Sequence, residues 1–86
     1  MPRISRFYGM DIVMWHRDHN PPHFHVRYAG REAQIRIQSF AVLNGALPAT
    51  ALDLVREWSE MHQEELLENW RLARERKPLN QIEPLR

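Results

Sequence analysis

His16-Arg17-Asp18-His19-Asn20-Pro21-Pro22-His23-Phe24-His25 holds four of the chain's five histidines within ten residues. Imidazole is the side chain whose ordinary pKa lies closest to neutrality, and it is a common metal ligand. Three chemistries can use such a set. In the first, histidines with a third His or Asp hold zinc or another divalent ion, with His16, His19, His23 and His25 as the candidate ligands. In the second, they cleave RNA phosphodiesters without metal, which needs a general base, a general acid and a cation beside the phosphate. His19, His23 and His25 would then move protons, Asp18 would orient one of them, and Arg27 and Arg36 would hold phosphate. In the third, the stretch is structural: histidines and Asn20 satisfy local backbone groups around the Pro21-Pro22 corner.

The elements that must position these residues begin at His23 itself. From His23 to Tyr28, Phe24, Val26 and Tyr28 alternate with His23, His25 and Arg27. From Arg31 to Gln38, Ala33, Ile35 and Ile37 alternate with polar residues. Ala29-Gly30 supplies a two-residue turn. That turn predicts a register in which Arg27 faces Glu32, Val26 faces Ala33, His25 faces Gln34, Phe24 faces Ile35 and His23 faces Arg36. A slip of one residue would set apolar side chains against polar ones. The pairing predicts one apolar face and a polar surface bearing His23, His25, Arg27, Gln34 and Arg36. Asp11 to His16 reads as a further strand, Ile4 to Tyr8 as a short strand or extended arm, and Phe40 to Leu43 as a last strand ended by Asn44-Gly45.

Beyond Pro48 the period changes from two to between three and four. Ala51, Val55, Trp58, His62, Leu66, Trp70 and Ala73 form one apolar stripe, with no Gly or Pro between residues 49 and 77. A straight helix of that span would run ~40 Å. Either its end projects beyond the sheet or it bends near Ser59 to His62. His62 lies in the stripe and reads as a satisfied core or interface histidine. The three tryptophans read as core or partner-facing anchors. Leu79, Ile82 and Leu85 of the proline-bounded tail are spaced to pack back on the domain. The expected architecture is α+β: a small antiparallel sheet of three to five strands, with a long, kinked or projecting helical segment on one face. The 86 residues form one domain, β-rich over 1–47, helical over 48–77 and extended over 78–86.

Composition narrows the partners. The net charge of +1 combines +3 over residues 1–47, where all six basic residues are arginine, with −2 over residues 48–86. Arginine suits bidentate contact with phosphate or carboxylate, but this excess does not by itself indicate nucleic-acid binding. No apolar run approaches the ~20 residues of a membrane span. The N-terminus lacks the apolar stretch of a secretory signal. With no cysteine, disulfides and thiolate zinc sites are excluded, and a reducing cytoplasm is the expected location.

Four segments carry a resemblance that covers nearly the whole chain: Ile4-Ser5-Arg6-Phe7-Tyr8-Gly9, Asp18-His19-Asn20-Pro21-Pro22-His23-Phe24-His25, Glu65-Leu66-Leu67-Glu68-Asn69-Trp70 and Ile82-Glu83-Pro84-Leu85. They resemble a family of small bacterial proteins classed as a domain of unknown function. Members of that family are often encoded beside a second small protein, in pairs that look like type II toxin–antitoxin modules, usually with the toxin role. The resemblance implies a cytoplasmic, toxin-like protein with a cognate partner from the adjacent gene. It brings no catalytic residues with it. The leading expectation is a toxin-like, ribonuclease-like protein acting on RNA without cofactor. The alternative is a non-enzymatic protein-binding module, an antitoxin or partner subunit, whose histidine loop is structural or holds a divalent metal such as zinc.

Overall fold

A computed structural model describes residues 2–86. Five strands form one antiparallel sheet in chain order: β1 (Arg3–Phe7), β2 (Met10–Val13), β3 (His23–Tyr28), β4 (Arg31–Arg36) and β5 (Val42–Gly45). Two helices complete the regular structure of the described residues, α1 (Ala49–Met61) and α2 (Gln63–Arg74). The β3–β4 hairpin has the predicted register at every one of the five pairs, from Arg27 opposite Glu32 to His23 opposite Arg36. Its turn residues Ala29 and Gly30 both have positive φ, 50° and 78°. Two left-handed residues match the twist of a two-residue hairpin, and this holds the register.

Phe24, Val26, Ala33 and Ile35 lie on the apolar face and are buried with Val55 and Trp58 of α1. The Trp58 ring packs 5.3 Å from Phe7 and 5.9 Å from Phe24, centroid to centroid. The helical segment breaks at His62, whose ψ of 26° leaves the helical range. No Gly or Pro imposes that break. The longest dimension of the molecule is 33 Å, so a straight ~40 Å helix would overrun the sheet. The bend lets Trp58, Leu66 and Trp70 all reach the interior. His62 is half-buried, and its Nδ1 pairs with Glu65 Oε1 at 2.6 Å.

The tail returns to the domain as its apolar spacing suggests. Ile82 and Leu85 are buried, and Ile82 N–H donates to the Ile4 carbonyl along the outer edge of β1. Fully buried Asn69 exchanges two 2.8 Å hydrogen bonds with the backbone of Asn80. Both ends of a buried amide are thereby satisfied, which such a group requires.

Two strand boundaries differ from expectation. The second strand stops at Val13 rather than running to His16, because the chain leaves the ladder for α2. Arg17 N–H donates to the Ala73 carbonyl and His16 Nε2–H to the Lys77 carbonyl. Ala73 lies in the last turn of α2, where carbonyls are short of intrahelical donors, and Lys77 lies just beyond that end. The last strand is Val42–Gly45, not Phe40–Leu43, so Asn44-Gly45 lies inside the sheet opposite Gln34 and Ala33. Gly45 is there for close approach: a Cβ would collide with the Glu32 carbonyl oxygen, and its φ is +78°. Gly45→Ala is therefore expected to cost at least about 2 kcal/mol, read as a lower urea midpoint with an unchanged slope.

At the β1–β2 end, Asp11 accepts from Arg6 at 2.6 Å and from Arg3 at 3.3 Å. The Arg6 hydrogen bond is the main reason its carboxyl titrates below the usual 3.8. A carboxyl with a depressed folded-state pKa stabilises the fold above its unfolded value and loses that contribution as pH falls through the folded one. Asp11→Asn is expected to cost about 0.5–1 kcal/mol at neutral pH. That gap should close as urea titrations are repeated at pH values progressively below 3.8.

Candidate metal centre

β3 alternation sends His23 and His25 to the face opposite Phe24 and Val26. That face is not the open surface the sequence suggested. His23 and His25 are each only 5% exposed. The connection between β2 and β3, pinned to α2 at Arg17, folds over them. The Trp15 ring meets His25 at 6.2 Å, and Trp70 of α2 meets His23 at 5.3 Å.

The same connection delivers Asp18. Its Oδ1 accepts from the His19 amide at 2.8 Å, which fixes the carboxylate. Its Oδ2 then lies 3.0 Å from His23 Nε2 and 3.1 Å from His25 Nε2. The far ring nitrogens are also engaged. His23 Nδ1 is 2.8 Å from the Pro21 carbonyl, and His25 Nδ1 is 3.0 Å from Glu32 Oε2. Asn20–Pro21 is a cis bond, and Arg74 donates to Asn20 Oδ1 at 3.1 Å.

Proton counting makes this arrangement informative. A carbonyl or carboxylate oxygen can only accept. The two rings therefore face four acceptor contacts, while two neutral imidazoles carry two N–H protons between them. The Pro21 carbonyl requires the His23 proton on Nδ1, so its Nε2 lone pair points at Asp18. With the His25 proton on Nδ1 toward Glu32, three electron-rich atoms converge: His23 Nε2, His25 Nε2 and Asp18 Oδ2. Ligand atoms of these three residues lie within 4.8 Å of one another. Two extra protons would satisfy the contacts, but they would set two imidazolium rings side by side, 5.2 Å apart and out of water. One divalent cation would satisfy them without that repulsion. Zinc bonds of 2.0–2.1 Å in a tetrahedron separate donors by about 3.3 Å, close to the 3.0 and 3.1 Å from Asp18 Oδ2 to the two Nε2 atoms.

Asp18 and Glu32 both titrate below their ordinary values. Burial pushes the Asp18 carboxyl up, but the His19 amide and, in the state with protons on the facing Nε2 atoms, His25 and His23 outweigh it, leaving it below its ordinary value. For Glu32 burial again raises the pKa, and hydrogen bonds from His25 and Arg27 reverse the sign. Glu32 also accepts from Arg27 Nε at 3.2 Å, and Arg27 lies over the Trp15 ring at 5.5 Å. Arg36 donates from Nε to the Gln38 carbonyl at 2.9 Å.

Of the four candidate histidine ligands, the fold brings together His23 and His25. His16 is spent on the Lys77 carbonyl, and His19 is exposed and enters through its backbone amide. Asp18 contacts both rings rather than orienting one. Glu32 was visible only as the cross-strand partner of Arg27. The signal that it also reaches His25 is its diagonal position across the hairpin, two residues from the direct partner Gln34.

These features define a small α+β domain with a buried His-His-Asp cluster at the mouth of a hairpin. No helix among the described residues is long and apolar enough to cross a membrane. The chain belongs to the family described as Domain of unknown function (DUF4160), whose model matches residues 9–71, from the β1–β2 turn to the last turns of α2. No curated protein and no solved structure matches it.

Proposed function

We propose that this domain is a metal-binding module in which His23 Nε2, His25 Nε2 and Asp18 Oδ2 hold one divalent ion of the zinc class. The observation that carries the reading is the double engagement of both rings, with Nε2 atoms sharing one carboxylate oxygen and Nδ1 atoms held by Pro21 and Glu32. An acceptor behind each ligating imidazole is the usual support of a histidine–metal bond, since it sets the tautomer and raises ligand basicity. Two imidazoles and one carboxylate suit zinc, nickel, copper or ferrous iron better than calcium or magnesium. Three protein donors leave the fourth position of a tetrahedral ion to water or a substrate atom.

Untagged protein, stripped with chelator and titrated with zinc against a metallochromic competitor, is expected to bind one equivalent per chain. Absence of stoichiometric binding by zinc, nickel, cobalt, copper and ferrous iron alike would sink the reading.

A toxin-like role on RNA is the second reading. It is favoured by Arg27 and Arg36, which share the face of the histidines, each two residues away along a strand or directly across from one. Incubation of defined RNAs with metal-loaded and chelator-stripped protein separates the versions. Cleavage by both forms supports proton transfer by His23 and His25, cleavage by the loaded form alone supports a metal-dependent step, and cleavage by neither leaves the metal-binding module without a nuclease role.

A further inference from the structure

The two edges of the sheet are treated differently. The β1 edge is covered by the tail, through Ile82 N–H to the Ile4 carbonyl at 2.8 Å and Gln81 Nε2 to the Arg3 carbonyl at 2.7 Å. Among the described residues, β5 pairs only with β4, and all four of its residues are exposed. Val42 and Leu43 are 42% and 41% exposed, and Ala46 and Ala49 are exposed as well. Soluble proteins normally blunt such an edge with lysine, proline, an inward charge or a bulge, and of these β5 shows only an irregular register opposite Gln34 and Ile35. Here residues 37–52 contain no charged residue, in a chain that is 27% charged.

We propose that two copies of this chain associate antiparallel through β5, giving one continuous sheet of ten strands, five from each. Two observations, the uncharged edge and the covered β1, select a second copy over a strand from another protein. An uncharged edge offers nothing to a partner of opposite sign, the usual source of specificity between unlike chains. It also sets no like charges across a two-fold axis, where the same uncharged segment of each copy meets the other. Moreover, with β1 covered by the tail, an isologous β5 contact uses the one edge left open among the described residues of each copy. The assembly closes at two and cannot grow into a fibre.

Sedimentation equilibrium on the full chain tests this. The expected mass is twice the 10.3 kDa of one chain, with the β5 amides protected from hydrogen exchange in a concentration-dependent way. The double substitution V42K/L43K should return the single-chain mass with an unchanged circular dichroism spectrum. Mixing it with V42E/L43E should restore the double mass as a mixed pair. A single-chain mass up to about 1 mM overturns the proposal, since so weak a contact is no specific interface. A dimer untouched by both charge variants overturns the placement at β5.

Discussion

His25→Ala is expected to lower zinc affinity by more than about 100-fold, since removing even a supporting partner of a ligand costs 10- to 100-fold. The effect is large because His25 joins two carboxylates: its Nε2 faces Asp18 and its Nδ1 faces Glu32. Glu32→Gln is the graded companion. It keeps an oxygen near Nδ1 but removes the charge, and a loss of about 10- to 100-fold is expected. Thermal unfolding gives a second readout. Metal at about 1,000 times its dissociation constant stabilises the folded state by about 4 kcal/mol, or ~15–30 °C for a domain of this size. Wild type should show that rise on adding zinc, and His25→Ala should not. The comparison in chelator separates metal binding from a purely structural hydrogen-bond role. If the cluster exists for a metal, His25→Ala should cost little stability there, because the stripped site sets electron pairs against one another. If the contacts are structural, the mutant should be as destabilised with chelator as without it, and zinc should move neither protein.

Trp58→Ala is expected to cost about 3–5 kcal/mol, a large fraction of the 5–15 kcal/mol that holds a typical domain folded. Trp58 is fully buried, is packed by Phe7 and Phe24 from two strands, and donates from Nε1 to the Glu83 carbonyl at 2.8 Å. It therefore ties helix, sheet and tail together. Trp58→Phe keeps an aromatic body but leaves the Glu83 carbonyl without this donor. Its smaller loss, followed by circular dichroism in urea, divides packing from the hydrogen bond. A Phe variant as unstable as the Ala variant would mean that the tail contact, not ring packing, dominates.

The hairpin shows how far local pattern reaches. Alternation in two segments and one Gly-containing turn specified all five predicted pairs, because a period of two leaves no second register that keeps Phe24, Val26, Ala33 and Ile35 on one side. The helical stripe was equally legible, and so was the return of Ile82 and Leu85. Asn44-Gly45 misled because this dipeptide is a strong turn signal. The need for glycine there comes from the Glu32 backbone, which sequence spacing cannot place. The end of the second strand is hidden for a similar reason: the His16 ring and the Arg17 amide are drawn to the Lys77 and Ala73 carbonyls, far along the chain.

For the site, residue order alone put His23 and His25 on one face with Arg27 and Arg36, since strand geometry requires it. That this face is covered, and that Asp18 rather than His16 or His19 completes the cluster, depends on long-range packing. The loop carrying Asp18 has no period of its own. Its path is set by the helix end that takes the Arg17 amide and the His16 ring, and by the His19 amide that aims the carboxylate. Four histidines in ten residues thus become two buried imidazoles facing one oxygen.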